Sequence, residues 1–191
     1  MSVLSLHHVT ATVDDAQADL DFCLSALGLR LVKKTVNFDN HHVYHFYYGD
    51  ERGTPGTIWT TFPYRGHGVP VGRKGAGQIT VTSFSVPRGS LTFWKERLSS
   101  LGLPVVDDEP RFGDEVITCT DSSGLMFELV ANRLDQRTAW TEGGVPSDAA
   151  IRGLHSVTMT IASPPATVDF MKSRLGFEVV DEAPDRIRLA A

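Results

Sequence analysis

Residues 6–32, LHHVTATVDDAQADLDFCLSALGLRLV, return at residues 154–180 as LHSVTMTIASPPATVDFMKSRLGFEVV, in step at a constant offset of 148. Twelve of the 27 positions are identical, and a gapless match of that density marks a repeated structural unit. A third copy, QITVTSFSVPRGSLTFWKERLSSLGLPVV (78–106), keeps the order of strand, polar turn, amphipathic segment, Leu-Gly-Leu stop and second strand. The fold is therefore read one unit at a time.

Each unit opens on an alternation of period two. Leu6, His8, Thr10 and Thr12 fall on one face of a strand, and His7, Val9, Ala11 and Val13 on the other, so one face is polar and the other apolar. The next segment spaces Ala16, Leu20, Cys23 and Leu27 at helical intervals, with Asp14 or Asp15 as N-cap and Gly28 as a left-handed stop. That spacing predicts a helix covering the apolar face. LRLVKKTV, VYHFYYGD and TIWTTFPY, separated by turn residues, add three strands, and unit one reads βαβββ. Unit two closes in the same way with EVITCTD and LMFELVA, which sets Thr60 against Glu128 when the closing strands are superposed.

The resulting fold class is α+β, built from βαβββ modules at 6–65, 77–132 and 153–191, with Gly- and Pro-rich linkers between them. The third module has its first strand, helix and second strand, so two modules are complete and one is incomplete. By its own repeat plan the chain reads as part of a larger design, whether as a gene fragment or as a shortened chain. An unfinished sheet edge also leaves self-association open, because natural domains cover or pair such edges.

Composition narrows the class of function. The 191 residues are 41% apolar and 21% charged, with a net charge of −5, an ordinary globular balance that needs no metal merely to form a core. No basic stripe offers a nucleic-acid footprint. No apolar run nears the roughly 20 residues of a spanning helix, and MSVLSLHHVT lacks the layout of a signal peptide, so the expected compartment is the cytoplasm, with no membrane partner. Cys23 and Cys119 stand far apart, without the spacing of a thiolate metal site. RGHGVPVGRKGAG matches neither a phosphate loop nor a dinucleotide turn, and no nucleophile elbow is present.

The candidate chemistry rests on histidine and glutamate. His8 shares the polar face with Thr10 and Thr12, the orientation a metal ligand would need if the sheet curls around a cavity, although imidazole ligands act in sets of three or four groups. His7 falls on the helix side, where a hydrogen-bonded histidine of the core or of a metal's surroundings is the default. Glu128 is a lone carboxylate among Leu125, Met126, Phe127, Leu129 and Val130; it is either an outward-facing strand residue or a group paired with a cation. His41, His42 and His45, followed by Tyr47 and Tyr48, form the densest imidazole and aromatic group, and the strand pattern there favours a cavity wall over a helical metal motif.

Together, the βαβββ repeat, LHHVTATV (6–13), LGLRLVKKTVNFD (27–39) and YHFYYGDERGTPGTIWTTFP (44–63) resemble the vicinal oxygen chelate superfamily. More narrowly they resemble its hydroquinone-type ring-cleaving dioxygenases, the group of the chlorohydroquinone and methylhydroquinone enzymes. The similarity runs essentially end to end, and LVKKTVNFD and GDERGTPGTIWTTFP belong to the subgroup. It implies four modules in a complete member, paired into two cups, with Fe(II), or in some cases Mn(II), held by two histidines and one glutamate. In that pattern His8 is a metal ligand, and His7 and Thr10 lie near metal and substrate. The other histidine and glutamate belong to a fourth module, outside these residues. Glu128 occupies a superfamily ligand position, but unit two has no histidine in its first strand, and unit three sets Ser156 opposite His8.

Units two and three are thus expected to form a structural pair without a working metal site, whereas pairing of units one and two would bring His8 and Glu128 together. The activity implied is oxygen-dependent opening of a hydroquinone or catechol-like ring, with the aromatic diol and O₂ as the small-molecule partners, and this chain alone is expected to be inactive. Two other readings stand beside it. One is a glyoxalase-like lyase or isomerase, which would need a second ligand where Thr60 sits. The other is a metal-free module that binds an aromatic ligand in a cup lined by Trp59, Phe62 and Tyr47.

Overall fold

The computed structural model of the chain describes residues 3–191. Asp15 opens the first helix: its backbone is extended and its carboxylate accepts the Ala18 N–H at 2.8 Å, capping α1 (Ala16–Leu20). The segment then departs from the regular helix that the spacing predicts. Asp21–Ala26 is a π-helical turn, in which the Leu27 N–H bonds back to the Phe22 carbonyl at 3.0 Å. Cys23 and Leu27 still face inward and are buried. Gly28 ends the segment at φ +69°, and a Cβ there would meet Val145 Cγ2 at 2.5 Å, so both backbone and space call for glycine.

The first module forms one sheet from β1 (His8–Val13), β2 (Arg30–Val36), β3 (Tyr44–Gly49) and β4 (Ile58–Pro63), in the order β1-β4-β3-β2. β4 runs parallel to β1 and antiparallel to β3, and β3 antiparallel to β2. The second sheet has the order β6-β7-β8-β5-β9. It joins β5 (Gln78–Pro87), β6 (Val105–Asp107), β7 (Glu115–Thr120) and β8 (Met126–Asn132) of module two to β9 (Gly153–Thr160) of module three. The opening strands β5 and β9 pair antiparallel, with Ser83 opposite Ser156. β10 (Glu178–Ala183) and β11 (Arg186–Ala190) form a separate hairpin. That hairpin is tied to module two by the Arg188–Asp114 ion pair at 2.6 Å and by Arg188 over the Phe112 ring. No helix among the described residues is long and apolar enough to cross a membrane.

Modules one and two share a core. The Phe127 ring on β8 lies 5.1 Å from Phe22, 5.2 Å from Trp59 on β4 and 6.1 Å from Phe84 on β5, centroid to centroid. Around it gather the buried faces of the first helical segment and of α2 (Leu91–Ser100), whose Trp94 is fully buried and donates Nε1–H to the Ala149 carbonyl at 2.9 Å. The 133–152 linker is thus part of the packing. Arg97 extends from α2 to the Ser25 and Ala26 carbonyls, fastening module two to the end of module one's helix.

Alternation then fixes the orientation of both sheets. Trp59 and Phe127 face the shared core, so their neighbours Thr60 and Glu128 face away from it, on opposite sides of the molecule. The pairing of modules one and two is back to back, and His8 and Glu128 do not meet.

Two buried carboxylates border this core. Asp19 accepts from Tyr48 Oη at 2.7 Å and Thr61 Oγ1 at 2.5 Å. Asp121 accepts the Ser123 and Leu125 N–H groups at the β7–β8 turn. Burial first, with the Asp19 charge adding to it, pushes the Asp121 carboxyl up to about 6, against the pull of its backbone donors. A carboxyl raised on folding favours the native state below its unfolded value and loses that contribution as pH rises through about 6. Asp121→Asn keeps an acceptor and removes the charge, so it should raise stability at pH 8 by roughly 1–3 kcal/mol and by roughly half as much at pH 5, as read from urea midpoints. Phe127→Ala should cost about 3–5 kcal/mol at either pH.

Candidate functional site

The face of the first sheet turned away from the core is polar and aromatic. Register aligns it in rows: His8 beside Ile58; then Thr10, Thr60, Tyr47 and Lys33; then Thr12 beside Phe62, and His45 beside Thr35. His8, Thr10 and Thr12 are exposed, while Thr60 is fully buried and donates to Thr10 Oγ1 at 2.8 Å. The Phe62 and Tyr47 rings pack against the His45 ring, 3.9 and 4.2 Å away centroid to centroid. The result is a hydroxyl floor with imidazoles at either end and an aromatic wall.

His8 lies on the face that the alternation assigns to it. His7 does not: it is exposed, its ring meets His8 edge-on at 5.2 Å, and the two Nδ1 atoms are 3.1 Å apart. It precedes the first residue of β1, so the strand period does not govern it. Thr10 stands on the same face as His8, two residues along the strand. Trp59 leaves the aromatic set expected to line this cup, because it pairs with Val9 and is buried in the shared core. Phe62 and Tyr47 stay on the open face. His41 and His42 sit in the exposed β2–β3 loop, and of that cluster only His45 reaches the sheet. Burial, then the charges of Lys33 and His8, lowers the proton affinity of His45 and holds its ring neutral.

Glu128 lies in the second sheet, 5% exposed. Its Oε1 meets Arg111 Nη2 at 2.6 Å and its Oε2 accepts from Ser83 Oγ at 2.7 Å. Thr118 and Ser83 flank it on adjacent strands, and Ser156 lies one strand farther. Both carboxylate oxygens are engaged, and the positive partner is a guanidinium. Among the described residues no three His, Cys, Asp or Glu side chains gather closely enough to hold a metal ion. The residues present therefore do not amount to an iron site; His8 is a single donor on an accessible face. Sequence reasoning missed Arg111, since nothing in PRFGDE signals that its side chain turns towards a strand 17 positions later.

Comparison with known proteins agrees with this architecture. Residues 5–129 match the profile of the glyoxalase/bleomycin resistance protein/dioxygenase superfamily. The chain is 41% identical over 191 residues to MhqE of Bacillus subtilis (strain 168), named as a ring-cleaving dioxygenase, covering 100% of this chain and 62% of that protein. It is 39% identical over 174 residues to a chlorohydroquinone/hydroquinone 1,2-dioxygenase of Sphingobium indicum, covering 90% and 54%. A solved structure of a Bacillus subtilis protein described as a dioxygenase superposes with a TM-score of 0.91 at 40% identity, over 98% of this chain and 60% of that one. A fosfomycin resistance protein, FosX, of Listeria monocytogenes shares the fold at 19% identity and a TM-score of 0.52, over 70% and 97%. The chain spans 54–62% of the length of the curated relatives named here.

The ion pair of the second sheet has a measurable consequence. Removing Arg111 strands a buried carboxylate, so Arg111→Met should destabilise the protein by about 3–5 kcal/mol, and adding Glu128→Gln should recover most of that loss. Denaturant midpoints of the two single variants and the double variant check it.

Proposed function

Because this chain belongs to the glyoxalase/bleomycin resistance protein/dioxygenase superfamily, we propose that it serves the oxygen-dependent ring opening of hydroquinone or catechol-like aromatics, in the cytoplasm. The observation that carries the reading is the open face of the first sheet. His8 and Thr10 stand exposed on it beside aromatic walls, in a chain that aligns along its whole length with a relative named for ring cleavage.

In this reading His8 is one ligand of a divalent metal, Fe(II) or Mn(II), and two further ligands come from residues outside this sequence. The activity is that of a protein of the relatives' length, and residues 1–191 alone turn over no substrate. What these residues supply is binding and orientation. Thr10, anchored by Thr60, presents a hydroxyl beside the place where substrate oxygen would lie. His7, its Nδ1 within 3.1 Å of His8 Nδ1, helps set the pose of the His8 ring. Phe62 offers an apolar surface on which an aromatic ring can rest. Glu128 belongs to the structural half, its charge matched by Arg111.

The same face weighs against a lyase or isomerase. Such a site would need a second ligating or proton-shuttling group where Thr60 stands, and Thr60 is buried and committed to Thr10.

The test is oxygen uptake by the intact protein, reconstituted anaerobically with Fe(II) and then given hydroquinone. His8→Ala should lower kcat by about 100-fold or more and Thr10→Ala by roughly 10-fold, the range for groups around a metal. Glu128→Gln paired with Arg111→Met should leave turnover within a few-fold of the parent. Full activity in His8→Ala would contradict the assignment.

A further inference from the structure

His45 on β3 carries a buried nitrogen with nothing to bond. The residue is 9% exposed, and its Nε2 is closed off from solvent without a hydrogen-bond partner. Its other nitrogen, Nδ1, lies 3.1 Å from Tyr47 Oη. Leaving a buried donor or acceptor unmet costs about 1–3 kcal/mol, and a purely structural ring beside Phe62 and Tyr47 could be phenylalanine at no such cost. A histidine kept there points to a partner that arrives from outside the chain.

Register supplies the place for that partner. His45 shares the outer face with His8 and Thr10. β1 and β3 are separated only by β4, about 10 Å between axes, and His45 stands four residues farther along the strands than His8, about 13 Å, so the side chains rise from Cα positions roughly 16 Å apart and converge over the floor between them. The Thr10–Thr60 pair forms the floor between them and Phe62 the flank. The Tyr47–Nδ1 contact allows either direction; with the hydroxyl taken as donor, the neutral imidazole carries its single proton on Nε2, which makes that atom a donor for an oxygen.

Resting on the ring-cleaving reading, we propose that His45 Nε2–H receives the second oxygen of a dihydroxylated aromatic whose first oxygen lies at the His8 end of the same face. Tyr47 is the positioning residue that sets the tautomer. A single ring with oxygens at opposite ends bridges the two positions, whereas one with adjacent oxygens places both near His8 and leaves His45 unused. His45 thus selects para-diols over ortho-diols and over simple phenols.

The experiment is calorimetric titration of the intact protein, under argon, with hydroquinone, catechol and phenol. His45→Phe should weaken hydroquinone about 10-fold, the effect of one lost hydrogen bond, and leave catechol and phenol unchanged. His45→Gln, which can return a donor to the Nε2 position, should hold hydroquinone within about three-fold of the parent. Tyr47→Phe, which leaves Nδ1 free and the tautomer unset, should weaken hydroquinone selectively and gives the same test should His45→Phe not fold. Equal weakening of all three ligands, or of none, overturns the role of His45 while the ring-cleaving reading stands. A parent protein that binds none of the three overturns both.

Discussion

The packing of Phe127 between Phe22 and Trp59 is the contact on which the arrangement depends. One ring from module two meets the helix and the sheet of module one at 5.1 and 5.2 Å, and the apolar sides of both modules close over it. Because strand side chains alternate, committing Trp59 and Phe127 to this core commits Thr60 and Glu128 to the outside. Everything polar in the chemistry follows from that choice. Two outward faces result, one carrying His8 and the other Glu128, and they cannot combine into a single site.

The two faces have diverged in a physically coherent way. On the first, Thr60 stands at the position that Glu128 holds in the repeat, and its hydroxyl is satisfied by Thr10, so no buried charge has to be matched there. On the second, the carboxylate is kept and neutralised by Arg111 and Ser83. A guanidinium is a durable partner for a buried carboxylate because it stays charged and offers several donors. Arg97, Trp94 and the 133–152 linker hold the helices against one another, which keeps the first sheet's outer face free of any obligation to the core.

Much of this was legible in the sequence because it is periodic. The constant offset of 148 marks the strand-helix-strand order that the first and last units share, and the alternation after His8 marks the faces of β1. Asp14 or Asp15 with Gly28 marks the ends of the first helical segment, where Asp15 is the cap. In the last unit, read as having two strands, Arg186–Ala190 forms a third. What was not legible depends on partners distant in the chain. His7 lies just ahead of β1, so the alternation placed it on the wrong side. Trp59 reads as a cup residue until its register with Val9 assigns it to the core. The surroundings of Glu128 were undecidable from its own strand, since the deciding groups, Ser83 and Arg111, come from 45 and 17 residues away. The π-helical turn at Asp21–Ala26 differs from an α-helix by a shift in hydrogen bonding that composition does not record. The buried nitrogen of His45 is likewise visible only once Phe62 and Tyr47 are in place around it.

Under the proposed function the face bearing His8 holds a divalent metal and the face bearing Glu128 holds none. Anomalous diffraction from crystals of the intact protein soaked in Mn(II) tests it most directly. A strong peak at bonding distance from the His8 imidazole and none near Glu128, whose carboxylate stays paired with Arg111, is the expected result. A peak at Glu128 with Arg111 swung aside, or no peak at His8 in a protein that turns over hydroquinone, would contradict it.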